Sequence, residues 1–450
     1  MSLTAQIYWA EHAWFHDTVE PGVLIRTAAT GRVTDVRAGV ERPPAGAVAL
    51  RGLTLPGFAN AHSHCFHRAL RSSVQIGSGT FWTWRSSMYA LSQDLTPDSY
   101  FELARAVYAE MALVGITCVG EFHYLHHDRG GARYGDPNAM GRALIAAAAA
   151  AGVRITLLDT CYLSAGFGEL PDHAQLRFSD GTADAWAERA AALRGDDTSR
   201  VGAAVHSVRA VPADALATVA AWAADRDAVL HVHLSEQPRE NDDCRRVHGR
   251  TPARLLADHG VLGPRTTAVH ATHLTDDDIG LLGGTGTAAC LCPTTERDLA
   301  DGIGPAARLR GAGSPLCLGS DSHAVIDMLA EARALEMHER LSSRVRGHFT
   351  AAQLLRAAGE SGHAALGWPE AGRLEPGGLA DFTTVALDSV RTAGPPPRLA
   401  AEAAVFAATG ADVRHTVVGG RHIVRDGVHQ LVPDVPHALS RAIGALGSVG

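Results

Sequence analysis

Short apolar runs alternate with longer amphipathic stretches over most of the chain. Between residues 53 and 330 the apolar runs predict eight strands, at 53–62, 116–122, 153–160, 201–208, 229–234, 267–272, 287–292 and 316–320. A helical period in the gaps predicts helices, among them 99–113, 140–151, 212–224, 252–259 and 326–341. Eight strands with intervening helices predict a (β/α)₈ barrel of the TIM type. An open doubly wound sheet is the alternative, but no convincing GxGxxG turn follows the first strand.

The two ends of the chain carry a different pattern. Short alternating runs separated by turn residues occupy 1–52 and return at 372–430, which is typical of half-buried strands. We therefore predict a small β-sandwich domain built from both termini. It comprises 1–55 together with 372–450, and it lies beside a barrel domain at 56–371.

Composition and charge narrow the classes of function. The 450 residues are 46% apolar and 20% charged, with a net charge of −8, as is usual for a soluble globular protein. The negative charge and the lack of a basic run argue against nucleic-acid binding. No apolar run is long enough to span a bilayer, and residues 1–6 lack the pattern of a signal peptide. We expect a cytoplasmic protein with no membrane partner.

The absence of lysine and the arrangement of the cysteines exclude further kinds of chemistry. The chain contains no lysine, so all 40 basic residues are arginine. This excludes a lysine nucleophile, a Schiff base, a P-loop lysine and a carboxylated lysine that bridges two metal ions. The seven cysteines are scattered and predict no disulfide framework. Cys290 and Cys292 have the wrong spacing for a zinc knuckle, and we expect buried thiols in a strand.

Polar residues collect where the predicted strands end. His62 and His64 lie two residues apart in an extended segment and therefore point to the same side. Other strand ends carry Glu121, His206, His233 with Glu236, His270, and Asp321. The carboxyl ends of barrel strands meet at one face, where active sites form. A single buried histidine is usually a core residue, but this many polar strand ends would be costly to bury without a metal or a ligand.

Three histidines and one carboxylate make a suitable ligand set for one divalent metal ion, Zn²⁺ or Fe²⁺. We predict that the metal ligands are His62, His64, His233 and Asp321. His231 is the competing ligand on the fifth strand, because it shares a face with His233. Glu236 favours His233, since it follows three residues later, close enough to move protons at a water on the same metal.

Three residues are predicted to be catalytic. His270, on the sixth strand, is expected to hydrogen-bond the attacking water, and Glu236 and Asp321 are expected to transfer protons. His273 and His323 leave two interpretations open. Each either supports the site or lies in a solvated loop, and the solvated position is favoured.

The chain resembles the amidohydrolase superfamily over essentially its whole length. The residues that carry this resemblance are Pro56-Gly57, the His62-x-His64 pair, His233, His270 and Asp321. The resemblance implies the one-metal deaminase branch, and the missing lysine independently excludes the branch in which a carboxylated lysine bridges two metals. The resemblance also implies a homodimer.

Within that superfamily, several segments resemble the formimidoylglutamate deiminases. These segments are 62–70, 81–89, 121–126, 206–210 and 233–238, and the Phe-Trp-Thr-Trp-Arg block at 81–85 is the most specific. The resemblance implies hydrolysis of the dicarboxylate N-formimino-L-glutamate in histidine degradation. It implies that Arg85, Tyr124, His206 and Arg209 bind the substrate. His67 stands where better-known members carry glutamine, so it either keeps a hydrogen bond to the substrate or shifts the specificity.

The residues leave three alternatives open. N-formimino-L-aspartate is one methylene shorter, and a pocket separates such substrates by only about 1–3 kcal/mol. A heterocycle such as guanine would call for amide or aromatic contacts rather than the two carboxylate-binding arginines, Arg85 and Arg209. A metal-binding scaffold without catalysis should lack a ligand or a proton-transfer residue, and none is missing here.

Overall fold

The computed structural model describes residues 5–447. The predictions made for residues 1–4 and 448–450 lie outside this range. Within it, the strands are β1 (Gln6–Phe15), β2 (Thr18–Thr27), β3 (Val33–Arg37), β4 (Val48–Pro56), β5 (Phe58–Ser63), β6 (Ile116–His123), β7 (Arg154–Cys161), β8 (Ser199–Val205), β9 (Leu230–Leu234), β10 (Thr266–His270), β11 (Ala288–Leu291), β12 (Leu316–Leu318), β13 (Phe382–Val385), β14 (Val413–Val418), β15 (Arg421–Arg425) and β16 (Val428–His429).

The helices of the described residues surround these strands. They are α1 (Phe81–Ser92), α2 (Pro97–Leu113), α3 (Ala139–Ala151), α4 (Ala183–Ala190), α5 (Ala213–Asp225), α6 (Pro238–His248), α7 (Pro252–Asp258), α8 (Asp276–Thr285), α9 (Pro293–Asp298), α10 (Ala306–Ala312), α11 (Met328–Ser343), α12 (Ala351–Ala358), α13 (Glu360–Ala365), α14 (Ala400–Phe406) and α15 (Val435–Gly444). None of the helices between residues 5 and 447 is both long and apolar enough to cross a membrane.

Strands β5 to β12 form a parallel sheet in which each strand pairs with the next one along the chain. A bridge between Ser63 and Asp321 joins the two edges of this sheet. The sheet therefore curls into a nearly closed barrel, and the predicted (β/α)₈ architecture is confirmed. The alternative, an open doubly wound sheet, is wrong.

The predicted first strand, 53–62, is in fact parts of two strands that belong to different sheets. β4 ends at Pro56 and β5 begins at Phe58. Gly57 lies at the break, where a larger residue does not fit, since a Cβ on it would lie 2.3 Å from the Thr117 side chain. The apolar run continues through both strands because both are buried, so periodicity could not separate them.

The other eight strands form a second sheet from both ends of the chain, in the order β16-β15-β14-β13-β4-β1-β2-β3. This sheet folds over on itself. The rings of Tyr8 in β1 and His422 in β15 are 5.4 Å apart, although three strands lie between them in the sheet. Its core includes Tyr8, Ile25, Phe382 and Val417. The two termini thus build the predicted β-sandwich, while the exact boundaries 1–55, 56–371 and 372–450 stay a prediction.

A buried ion pair joins the two sheets. Arg154, at the start of β7, donates from Nε to Asp381 Oδ2 at 2.6 Å, and both residues are buried. The other oxygen of Asp381 accepts the N–H of Gly419 at 2.6 Å. The barrel is therefore attached to the terminal sheet by a carboxylate that is bonded from both sides.

Replacing Arg154 with Met is expected to lower the free energy of unfolding by about 3–5 kcal/mol, because it leaves Asp381 buried and charged without its partner. Guanidinium denaturation followed by circular dichroism measures this change. The matched control is Arg26→Met, which removes an exposed pair with Asp35 at 3.8 Å and should cost less than about 1 kcal/mol. Equal losses in the two variants would contradict the role given to the buried pair.

Candidate active site

The candidate site lies at the carboxyl ends of the barrel strands. β5 carries His62, β9 carries His233 and β10 ends at His270. Several residues at these ends adopt left-handed backbone conformations that favour glycine, among them His270 with φ of 68° and Asp321 with φ of 43°. Such conformations cost about 1–3 kcal/mol each and collect at functional sites. The strained strand ends mark this face of the barrel as the functional one.

The four predicted metal ligands fall into two groups that share His62: one contains His62, His64 and His233, and the other contains His62 and Asp321 together with His270. His62 Nε2 lies 3.1 Å from His233 Nε2 and 3.4 Å from Asp321 Oδ1. His64 Nε2 lies 3.5 Å from the same carboxylate oxygen. In a tetrahedral site with Zn–N distances near 2.0–2.1 Å, neighbouring ligand atoms lie about 3.3 Å apart. The spacing of these atoms therefore fits a single divalent metal ion.

Hydrogen bonds prepare two of the histidines as ligands. His64 Nδ1 donates to the Phe122 carbonyl at 2.9 Å, and His233 Nδ1 donates to the His206 carbonyl at 2.9 Å. These bonds place the ring proton on Nδ1 and leave the Nε2 lone pair free for a metal. Burial lowers the pKa of His64 to about 3 and the pKa of His233 well below its usual value. Both rings are therefore neutral at physiological pH, as metal binding requires.

The two histidines of β9, the fifth strand of the barrel, have different partners. His233 joins the cluster, whereas His231 Nε2 donates to the Ala365 carbonyl at 3.0 Å. His231 contributes no atom to either group of metal-compatible side chains around His62. The geometry therefore favours His233 over its competitor.

Glu236, His270 and Asp321 lie beside the ligands and face one another. His270 Nε2 is 3.7 Å from Glu236 Oε1 and 3.6 Å from Asp321 Oδ2, and its Nδ1 is 3.4 Å from Glu296 Oε1. Burial alone would lower the pKa of His270, but Glu236, the hydrogen bond to Glu296 and the charge of Asp321 raise it to about 10. The carboxylates around His270 therefore favour the protonated form of its ring.

The two carboxyl groups of this trio have opposite pKa shifts. Burial raises the pKa of Glu236, and the opposing charges of His270 and Arg209 do not cancel that shift. Burial also acts to raise the pKa of Asp321, but the hydrogen bond from His62 and the positive charge of His270 bring it below the usual value. A pair of carboxyl groups with separated pKa values can divide the roles of acid and base.

A small cavity of about 40 Å³ opens onto the cluster. The side chains that line it include all five predicted substrate-binding residues, which are His67, Arg85, Tyr124, His206 and Arg209. A wider groove of about 910 Å³, lined in part by Arg200 and Trp222, contains none of the predicted site residues. The reactive side chains and the wider groove therefore lie in different places. The reactive side chains identify the candidate site.

The two arginines of the cavity differ in their partners. Arg209 donates from Nε to Glu240 Oε2 at 2.6 Å and lies 3.6 Å from Glu236. Arg85 stacks against the rings of Trp82 and Tyr89 and forms no ion pair with any carboxylate within residues 5–447. Arg85 therefore supplies an uncompensated positive charge to the cavity.

Two further residues, Glu121 and His323, support the His62–His64 turn. Glu121 accepts hydrogen bonds from Ser63 Oγ at 2.8 Å and from Cys65 N at 2.7 Å, one on each side of His64. His323 Nε2 lies 3.0 Å from Ser63 Oγ. The solvated position favoured for His323 is wrong, because this residue is fully buried. His273 is half-buried, and its Nε2 donates to the Asp301 carbonyl at 2.8 Å, outside the cluster.

Comparison with known proteins agrees with this architecture. The amidohydrolase family model matches residues 53–423. A formimidoylglutamate deiminase from Pseudomonas aeruginosa is 34% identical over 452 residues, which cover 97% of this chain and 99% of the relative. An 8-oxoguanine deaminase from the same organism is 31% identical over 390 residues, or 84% of each chain.

A solved structure of a related protein has the same fold. The crystal structure of an amidohydrolase from Brucella melitensis superposes with a TM-score of 0.90 at 31% identity, covering 98% of this chain and all of that one. The relatives named here act as deaminases or amidohydrolases, which cleave carbon–nitrogen bonds. The chain therefore belongs to the amidohydrolase family and is a hydrolase that acts on carbon–nitrogen bonds.

Proposed function

We propose that this protein hydrolyses N-formimino-L-glutamate to N-formyl-L-glutamate and ammonia. The observation that carries the proposal is the position of Arg85, a guanidinium without a carboxylate partner within residues 5–447, in the same cavity as the His and Asp cluster. That arrangement suits a substrate that carries a carboxylate away from its reacting group. The full-length similarity to a formimidoylglutamate deiminase supports the same substrate.

The proposed metal ligands are His62, His64, His233 and Asp321, and the proposed metal is Zn²⁺, with Fe²⁺ as the alternative. When bound there, a divalent ion would lower the pKa of water toward about 7 and so supply a nucleophile at neutral pH. The protein's side chains carry out the proton transfers and bind the substrate. Three of the proposed ligands, His64, His233 and Asp321, line the cavity together with Glu236 and His270.

The side chains can then move the protons that the reaction needs. A new C–O bond forms at the formimino carbon as water attacks, and Asp321 accepts the proton that this water loses. The C=N electron pair moves onto the terminal nitrogen, and His270 donates a hydrogen bond to the attacking oxygen. Glu236 gives its proton to the nitrogen that leaves. The formimino group is a cationic amidine, so its terminal nitrogen already carries two hydrogens and leaves as ammonia once Glu236 has protonated it. As the C–N bond breaks, the Glu236 carboxylate takes the remaining proton of the former water and the C=O bond of the formyl product forms, while Asp321 returns its proton to the solvent.

The remaining polar residues of the cavity are proposed to hold the substrate. Arg85 binds a carboxylate directly, whereas Arg209 is already paired with Glu240 and presents only its outer N–H groups. His67 Nε2 and the Tyr124 hydroxyl lie 3.1 Å apart and present a linked pair of hydrogen-bonding groups to the cavity. His206 completes the polar lining.

A heterocyclic substrate is the second candidate, because an 8-oxoguanine deaminase is 31% identical over 84% of the chain. N-formimino-L-aspartate is the third, since it has the same functional groups and is one methylene shorter. The unpaired Arg85 argues against a neutral planar ring, which would leave its charge unmatched.

Ammonia release by the zinc-loaded protein tests the proposal. We expect kcat/KM for N-formimino-L-glutamate to exceed the value for N-formimino-L-aspartate by about 10-fold or more, the range that one methylene provides. We expect no measurable release from guanine or 8-oxoguanine. Faster release from a heterocycle, or none from any substrate in protein that contains metal, would refute the proposal. The cytoplasmic location and the homodimer stay predictions, which fractionation and light scattering can check.

A further inference from the structure

One face of α1 forms the outer wall of the cavity. Phe81, Trp84, Arg85, Met88 and Tyr89 all line it. They occupy positions i, i+3, i+4, i+7 and i+8, so they lie on the same side of the helix. Arg85 and Tyr89 are the two polar members of this face. Neither belongs to the metal cluster, and Tyr89 has no role in the mechanism above.

A hydrogen-bonded cluster lies behind these two residues. Gln175 Nε2 donates to Tyr162 Oη at 2.8 Å and to Tyr89 Oη at 3.0 Å. The two hydroxyls are 3.0 Å apart. Arg85 donates to Tyr162 Oη at 3.4 Å. The orientation of the Gln175 amide is fixed, since its oxygen accepts the N–H of Asp172 at 2.9 Å.

The donors and acceptors in this cluster can be assigned. A phenol oxygen has one proton to donate and two lone pairs. Two N–H donors, from Gln175 and Arg85, occupy both lone pairs of Tyr162. Tyr162 therefore donates its proton to Tyr89. Tyr89 then accepts from Gln175 and from Tyr162, which leaves its own O–H without an acceptor among residues 5–447.

We propose that Tyr89 is a substrate-binding residue that forms one carboxylate subsite together with Arg85. The Tyr89 hydroxyl and the Arg85 guanidinium both donate to the same carboxylate of the substrate. Tyr162 and Gln175 are positioning residues, because they act through Tyr89 by fixing the direction of its proton. This inference rests on the proposed function and names how that site recognises one end of its dicarboxylate.

Two further observations support this subsite. Tyr162 and Gln175 are both 1% exposed, so water does not compete for the hydrogen bond between them, and the two donors that Tyr89 accepts from are held in place by buried groups. The charge of Arg209 is met by Glu240 at 2.6 Å. Arg85 is therefore the guanidinium whose charge a substrate carboxylate would neutralise, and Tyr89 is the neutral donor beside it.

Three variants test the subsite in the zinc-loaded protein. Tyr89→Phe removes the donated proton, Tyr162→Phe removes its positioning, and Tyr134→Phe is the control. The Tyr134 hydroxyl contacts Arg177 at 3.4 Å and does not line the cavity. The measurements are kcat and KM for N-formimino-L-glutamate, and the Kd of glutarate by calorimetry. Glutarate carries two carboxylates and has no formimino group, so its binding needs no turnover.

We expect Tyr89→Phe to raise both KM and the glutarate Kd about 10-fold or more, as is usual when a hydrogen bond to a charged group is lost. The value of kcat should change less than about 2-fold, because the contact is the same in the ground state and the transition state. Tyr162→Phe should raise both constants about 3-fold, and the control should leave them unchanged.

Several outcomes decide the matter. Wild-type KM and glutarate affinity in Tyr89→Phe overturn the inference, and the proposed function survives if ammonia is still released. A fall in kcat alone also overturns it. Glutarate binding that depends on Tyr89 without any ammonia release supports the subsite and refutes the proposed function. If Tyr89→Phe does not fold, Tyr162→Phe carries the test, and unchanged glutarate affinity there contradicts the proposal.

Discussion

The Glu236→Gln variant is expected to release ammonia from N-formimino-L-glutamate about 10²–10⁴-fold more slowly than the wild type, with KM nearly unchanged. Glutamine has the shape of glutamate but cannot give a proton to the leaving nitrogen, and a positioned general acid contributes a factor of this size. Steady-state rates with metal-loaded protein measure the effect. Glu188→Gln is the matched control, because Glu188 is exposed on α4.

The pH profile separates an acid role from a structural one. Burial holds the pKa of Glu236 above that of an ordinary glutamate, so the side chain keeps its proton to a higher pH. A step that needs the protonated form slows as the pH rises through this pKa. The wild type should therefore show a descending limb that Glu236→Gln lacks. If Glu236→Gln shows the same descending limb, or keeps more than about a tenth of the wild-type kcat, Glu236 is not the acid.

The convergence of the four candidate ligands could be predicted from the sequence because two simple rules determine it. Residues two apart on a strand share a side, which brings His62 and His64 together. Parallel barrel strands end at one face, which adds His233 and Asp321. These rules concern the direction of the backbone, which hydrophobic patterning reveals. They apply to any chain whose strands can be recognised.

The partners of the arginines could not be predicted in the same way. Arg209 is paired with Glu240, but α6 also carries Asp242 and Asp243, and no periodicity shows which carboxylate turns inward. His323 was expected in solvent because nothing in its neighbourhood signals a left-handed residue. His323 has a left-handed φ of 58° and is fully buried. Side-chain pairing and unusual backbone angles depend on tertiary packing, which a single sequence does not display.

His231 and His233, both on β9, allow a direct test of the metal site. His233→Asn should lower zinc affinity by more than about 100-fold, because loss of a ligand exceeds the 10–100-fold cost of losing a residue that merely orients one. His231→Asn should keep one zinc per chain, since His231 bonds to the Ala365 carbonyl and lies outside the cluster. Zinc content after dialysis against a chelator of known affinity measures both.

Stability gives a second measure that does not depend on turnover. A ligand that binds only the folded state stabilises it by about 2.7 kcal/mol at 100 times its Kd. Zinc at that level should therefore raise the Tm of the wild type and of His231→Asn by similar amounts. It should leave the Tm of His233→Asn nearly unchanged. His231→Asn can unfold at a lower temperature than the wild type, because a buried ring is lost, yet its response to zinc should persist. If zinc instead fails to stabilise His231→Asn and still stabilises His233→Asn, the metal ligand on this strand is His231. The proposed ligand set of His62, His64, His233 and Asp321 would then be wrong.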